Sequence, residues 1–192
     1  MTVLPILTIG HDVLHSPAQV VTEVTDELRS LAADMVDTMH AAPGVGLAAP
    51  QVGVSVQMFV WHYDDDGELS EGVVVNPTLT LKGPWKNRFR GEPADEGCLS
   101  VPGLRFPLAR AEHAILRGQD LEGKPVTISA EGWLARIFQH ETDHLRGVLY
   151  RDRLRRRWRK QADREIADSE LLKHSNSWHP ERDGSESELA GD

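Results

Sequence analysis

Hydrophobic and polar positions change period several times along this chain, and each change marks an element. Between Thr25 and His40 the apolar residues Leu28, Leu31, Met35 and Met39 recur at three- and four-residue steps, the one-sided stripe of a packed helix. Thr25 suits its N-cap, and Asp26 and Glu27 fall where the helix dipole favours carboxylates. Val54, Val56, Met58 and Val60 alternate with other residues and predict a strand over Val54–Trp61. Asp64-Asp65-Asp66-Gly67 reads as a hairpin turn into a second strand, Val73–Leu81, interrupted at Asn76-Pro77. Ala111–Arg117 and Pro125–Ala130 predict two shorter strands, and a helix follows from about Gly132 to Arg146. Gly147 closes that helix in the left-handed conformation that glycine adopts without strain. Leu154, Trp158, Ala162 and Ile166 then recur every fourth residue, the pattern of an amphipathic helix. Residues 1–24 read as an extended lead-in and Gly83–Asp95 as a surface loop. From His174 the chain is polar and aperiodic, so a disordered tail over 174–192 is expected behind a single domain over 1–173.

Charge alters this picture mainly at the C-terminal end. The net charge is −9, yet residues 151–173 carry nine basic and five acidic groups, a local excess of +4. A cationic helix on an acidic body is a candidate contact for an anionic partner. The 192 residues hold one cysteine, so no intramolecular disulfide is possible. Thr38–Tyr63 contains no Asp, Glu, Lys or Arg, but Pro43, Gly44, Gly46, Pro50 and Gly53 break it, which argues against a membrane span. The N-terminal stretch has neither the basic nor the long apolar region of a signal peptide, and a cytoplasmic protein is expected.

The chemistry concentrates at Gln139-His140-Glu141-Thr142-Asp143-His144-Leu145-Arg146-Gly147. His140 and His144 lie about 40° apart on one helix face, one turn above the other. Two imidazoles so placed can reach one tetrahedral metal, with Glu141 beside them within reach of a metal-bound water. Trp133 and Ile137 share their stripe, so the histidines point inward, where they need a partner. Cys98 lies between glycine and a strand-like stretch in Glu96-Gly97-Cys98-Leu99-Ser100. A lone cysteine is usually a small core residue. Here it would complete a Cys-His-His set, which leaves a fourth position open for water. Gly44-Val45-Gly46-Leu47-Ala48-Ala49-Pro50-Gln51 lets backbone pass close to another group, although as a glycine motif alone it is weak.

Three of these segments together resemble the peptide deformylases: GxGLAAxQ at Gly44–Gln51, EGCLS at Glu96–Ser100 and QHExDHLxG at Gln139–Gly147. They stand in that family's order, and the resemblance extends over roughly residues 3–155. It implies an α+β fold, with small, mainly antiparallel sheets around a central metal-binding helix and a C-terminal helix. Cys98, His140 and His144 would bind one divalent ion, iron(II) natively, with zinc or nickel able to replace it. Glu141 would move the proton, and the Gln51 amide with the Leu99 N–H would hold the oxyanion. Val45, Gly46, Leu99 and Arg105 would contact the peptide, and Trp133, Ile137 and His140 would border the methionine pocket. The implied reaction is hydrolysis of N-formyl-methionyl ends of nascent chains to formate and a free amine, with neither DNA nor a membrane involved.

Arg136 lies toward that pocket, where an apolar residue is commoner among relatives. Either its stem packs and its head reaches solvent, or it rims the pocket and favours acidic or polar residues after methionine. Two rivals share parts of the pattern. A zinc peptidase also uses His-Glu-x-x-His, but Tyr150 stands where the third histidine of one subtype would fall. A structural metal site would more often have four protein ligands and no need of Glu141. The 151–173 segment is expected either to contact ribosomal RNA or to be a solvated helix.

Overall fold

The computed structural model describes residues 2–65, 67–83 and 93–183. A five-stranded antiparallel sheet runs in the order β2 (Gly46–Ala48), β3 (Met58–Asp65), β4 (Glu68–Leu81), β7 (His113–Gln119), β8 (Pro125–Glu131). The strand period decides what lies on each face. Met58 and Val60 of β3 point to α1 (Asp26–Ala41) and join its stripe of Leu28, Ala32, Met35 and Met39. Phe59 and Trp61 point the other way, onto Ala135, Ile137 and Phe138 of α2 (Gly132–His144). The Trp61 and Phe138 rings meet edge to face at 5.2 Å, a favoured aromatic geometry.

α2 is thus covered by the sheet on one side. A second layer covers its other side, made of the hairpin β5 (Ala94–Cys98) and β6 (Val101–Leu108). Behind the hairpin lie α3 (Tyr150–Arg153) and α4 (Arg156–Asp168), where Tyr150, Leu154 and Ala162 are buried against Val101, Phe106 and Leu108. Of the four-residue period read from Leu154, Trp158, Ala162 and Ile166, the last three form the face α4 lays on this hairpin, while Leu154 packs there from the end of α3. The α+β architecture expected from the resemblance is the one observed, with antiparallel sheets around the helix that carries His140 and His144.

Three expectations are corrected. β3 begins at Met58, because Val54 and Val56 sit in an irregular stretch in which only Val56 bridges to Gln19. Both still pack toward α1, so the alternation was read from burial without strand pairing. The tail expectation fails over 174–183. There α5 (Glu170–His174) leads into β9 (Ser177–Trp178), which pairs with β1 (Ile6–Leu7), and α6 (Pro180–Asp183) follows. Residues 184–192 lie outside the described residues, as do positions 84–92 of the loop expected over Gly83–Asp95. Third, the Arg136 head does not reach solvent; its partners are given below. The break at Asn76-Pro77 is present: Asn76 has a φ of +50°, and the ladder to β7 shifts register between Val75 and Thr78. The Asn76 amide compensates by pairing with both backbone groups of Val21, at 2.9 and 2.8 Å.

No described helix is long and apolar enough to cross a membrane.

Candidate metal centre and active-site cleft

Every residue of α2 from Ala135 to His144 is buried, including its polar ones. The glycines at either end explain how so polar a helix is seated: Gly132 and Gly147 have φ of +55° and +71°. A Cβ on Gly147 would fall 2.7 Å from backbone atoms of His15 and Ser16. The helix can therefore press its last turn against the N-terminal segment.

At that end His140 Nε2 and His144 Nε2 lie 3.1 Å apart, and Cys98 Sγ is 3.2 Å from His144 Nε2. All three donor atoms lie within 4.8 Å of one another, and each residue is buried. A tetrahedral ion with Zn–N near 2.05 Å and Zn–S near 2.3 Å has edges of about 3.3–3.5 Å between such donors, so the trio fits one first-row ion. Its electrostatics point the same way. Burial and the neighbouring His140 lower the pKa of His144. Burial would also lower that of His140, but Cys98 and Glu96 outweigh it and the net shift is upward.

The rings are aimed by a second set of contacts. Glu96 accepts from His140 Nδ1 at 2.7 Å, which turns Nε2 toward Cys98. Glu96 also accepts from Arg110 Nε and Nη2 at 3.0 and 2.6 Å and from Arg136 Nη1 at 2.9 Å. Arg110 Nη1 reaches on to Asp143 at 2.6 Å, and Asp143 also takes Arg153 Nη2 at 2.7 Å. Burial alone would raise the Glu96 carboxyl, but hydrogen bonds and charge from His140 and Arg110 hold it far below the usual carboxylate range. Gln139 pins the same helix turn by exchanging two 2.9 Å bonds with the Ala111 backbone.

Glu141 faces the donors from the cleft side. A Cβ on Gly46 would lie 2.4 Å from its Oε1, so glycine is required there for the β2 backbone to approach. Burial raises the Glu141 pKa to about 7, with the charge of His140 opposing and that of Glu96 adding. Its Oε2 is buried and, among the described residues, has no hydrogen-bond partner. Gln51 lies in a single 3-10 turn, Ala49–Val52. The Ala48 N–H donates to its Oε1 at 2.8 Å, which directs Nε2 at Ser100 Oγ (3.2 Å) and toward Cys98 Sγ (3.8 Å). Among the described residues the Leu99 N–H makes no backbone bond.

These groups line one cleft of about 340 Å³, together with Val45, Gly46, Arg105, Trp133 and Ile137, a volume typical of small-ligand sites. Every sequence-predicted site residue therefore converges here, His144 through the metal set and the others as lining. Trp133 and Val45 form its exposed apolar rim, 37% and 42% accessible. Arg136 does border the cleft, but its guanidinium turns inward to Glu96 and the Leu108 carbonyl (2.8 Å) while lying 5.3 Å from the Trp133 ring. Sequence reasoning missed Arg110, Glu96 as a ring-orienting acceptor, Asp143 and Trp178. Glu96 and Asp143 sit inside the motifs, which was the available signal. Arg110 and Trp178 carried none.

The sequence model described as "Polypeptide deformylase" matches residues 3–160. The chain is similar to the peptide deformylase of Acidothermus cellulolyticus, 47% identical over 186 residues that cover 95% of this chain and 98% of that protein. The similarity to the peptide deformylase of Tropheryma whipplei (strain TW08/27) is 47% over 167 residues, 81% of this chain and 83% of the other. Among solved structures, the peptide deformylase from Ehrlichia chaffeensis superposes with a TM-score of 0.79 at 31% identity, covering 90% of this chain and 99% of that one.

Proposed function

The chain belongs to the polypeptide deformylase family, metal-dependent hydrolases that take the formyl group off new peptides, and we propose that Cys98, His140 and His144 hold the ion, Glu141 moves the proton, and Gln51 with Leu99 binds the oxyanion. The observation that carries this division is the convergence of three buried metal donors, a carboxyl raised to about 7, the Gln51 amide and Leu99 on one cleft. When bound, the divalent ion supplies a Lewis acid and brings the attacking water's pKa toward neutrality.

The chain's own groups do the rest. Glu141 takes a proton from the water as its oxygen bonds to the formyl carbon, and a carboxyl poised near neutrality suits that exchange. The Gln51 Nε2 and Leu99 N–H donate to the oxyanion as it forms, a contribution worth about 100- to 1000-fold in rate per donor. As the C–N bond breaks, Glu141 returns the proton to the departing amine, leaving formate and a free N-terminus. Val45, Gly46 and Arg105 contact the peptide, and Trp133 and Ile137 border the methionine side chain. Because Arg136 is committed to Glu96, its influence on the residue after methionine is indirect.

The resident ion is iron(II) on this reading because the family resemblance implies it; the thiolate and imidazole donors suit zinc or nickel equally. The protein acts in the cytoplasm on nascent chains, and its single catalytic domain extends through the β1–β9 ribbon. Arg155, Arg156, Arg157, Arg159 and Lys160 are exposed around the start of α4, whose first turn has no acidic residue. Cations there oppose the helix dipole, and the phosphates of ribosomal RNA would relieve that repulsion. The test of the whole reading is anaerobic purification, metal analysis and release of formate from formyl-Met-Ala-Ser. Cys98→Ala should lose both metal and activity. Cleavage of the peptide bond itself, with full metal retention in Cys98→Ala, would return the site to the peptidases.

A further inference from the structure

One wall of the cleft comes from the C-terminal segment. Trp178, in β9, lines it and is 4% exposed, packed with Ile6, Ala42 and the side chain of Leu99. Its indole Nε1–H donates to the Leu99 carbonyl at 2.8 Å. The next carbonyl, Ser100, accepts from the Ile9 N–H at 2.9 Å. Both donors belong to one ribbon formed by the two ends of the chain. Ile6 and Leu7 face Trp178 and Ser177 in register, and the Thr8 N–H bonds the Asn176 carbonyl at 2.9 Å.

We propose that Trp178 is a positioning residue for the oxyanion site: its indole N–H holds the Leu99 carbonyl and so anchors, from its C-terminal side, the residue whose N–H is the donor. The inference rests on the role given to Leu99 above. Leu99 lies in the two-residue turn between β5 and β6, outside the ladder, so no strand bond orients it. The turn is fixed from its two ends. Cys98 is held through its sulfur, which also accepts the Ser100 N–H at 3.4 Å, and Ser100 Oγ accepts from Gln51. The Leu99–Ser100 peptide is then held on both edges, its N–H by the Cys98 sulfur and its carbonyl by the indole, which anchors the Leu99 Cα from which the Cys98–Leu99 peptide and its N–H are hung. The Leu99 side chain packs closely on the glycine loop, where a Cβ on Gly44 would lie 2.8 Å from its Cδ1. An indole is suited to this task because it buries a large apolar surface while offering one directed donor.

The test separates the hydrogen bond from the packing. In the full-length, metal-loaded protein, Trp178 is replaced by its benzothienyl isostere, in which sulfur stands for N–H, and separately by phenylalanine. Formate release from formyl-Met-Ala-Ser should show kcat lowered about tenfold by the isostere, a loss of the size expected from small misplacement of a catalytic donor. KM should stay within about twofold and metal content should be unchanged. Trp178→Phe should show the same loss of kcat and also a lower Tm. An isostere with wild-type kcat, whatever its Tm, overturns the proposal, because packing alone would then account for Trp178. Inactivity of the metal-loaded wild type would instead overturn the deformylase reading, and this inference with it.

Discussion

Replacing Glu96 by glutamine removes one negative charge and almost no volume from behind His140. In the native cluster that carboxylate accepts four hydrogen bonds: two from Arg110, one from Arg136 and one from His140 Nδ1. A glutamine keeps one acceptor oxygen, but its NH2 must face a guanidinium or the imidazole, leaving a buried cation short of its partner. Breaking a buried ion pair this way costs about 3–5 kcal/mol, which for a chain of this size lowers Tm by about 6–20 °C. Because the folded pKa of Glu96 lies below the ordinary carboxyl value of 4.5, its stabilisation is complete above that value. It is lost as pH falls toward the folded pKa, so the gap between wild type and Glu96→Gln should be widest near neutrality and close in acid. Metal affinity should fall about 10- to 100-fold, because His140 loses the acceptor that aims its Nε2. Urea unfolding from pH 3 to 8, with chelator competition for zinc at pH 7, reads both effects. A variant as stable as wild type at pH 7, binding zinc equally tightly, would refute the claim that this cluster orients the metal site.

Gly46→Ala should lower kcat about 100-fold, the scale of a displaced general base, with only a small change in Tm. The three atoms nearest the added Cβ all belong to the Glu141 side chain, so paired kinetics and calorimetry decide it. Glu141→Gln should abolish formate release. In chelated protein it should also raise stability above pH 7, because a carboxyl whose folded pKa is about 7 against 4.5 costs about 3 kcal/mol once ionised, a cost absent below pH 4. Unfolding curves that run parallel for the two proteins at every pH would contradict that. The triple reversal Arg155→Glu, Arg156→Glu and Lys160→Glu should weaken ribosome co-sedimentation at low salt while leaving formyl-Met-Ala-Ser hydrolysis intact. Equal co-sedimentation would remove the ribosome from the account.

Periodicity located α1, β7, β8 and α4 because each has one wet side. The α1 stripe, the β7–β8 pair and the face of α4 all separate apolar from polar positions, and burial follows that separation. α2 is different: it is covered on both sides, by sheet and by hairpin, and its polar residues are buried with its apolar ones. Its histidines could be placed from spacing alone, but the partners of Arg136 could not, since Glu96 lies 40 residues away on another element. The same holds for Arg110, joined to Glu96 across 14 residues and to Asp143 across 33. Trp178 was invisible for the opposite reason. A single large apolar residue in a polar stretch has no period, and a two-residue strand is too short to announce itself.

The burial of so many charges near one helix needs a reason other than stability. Glu96, Asp143, Arg110 and Arg136 are each less than 9% exposed, and a well-packed apolar cluster of similar volume would hold a fold at least as firmly. An apolar cluster, however, offers no acceptor to His140 Nδ1, and the imidazole could then turn its other nitrogen toward Cys98. The charged cluster also ties together the three segments that the metal must unite: Glu96 stands two residues before Cys98, Arg110 follows the hairpin, and Asp143 precedes His144. Each ligand is thus placed by a neighbour in sequence that belongs to the same buried network. A change in that network should move the ligands together, which is why Glu96→Gln is expected to alter metal affinity and stability in one step.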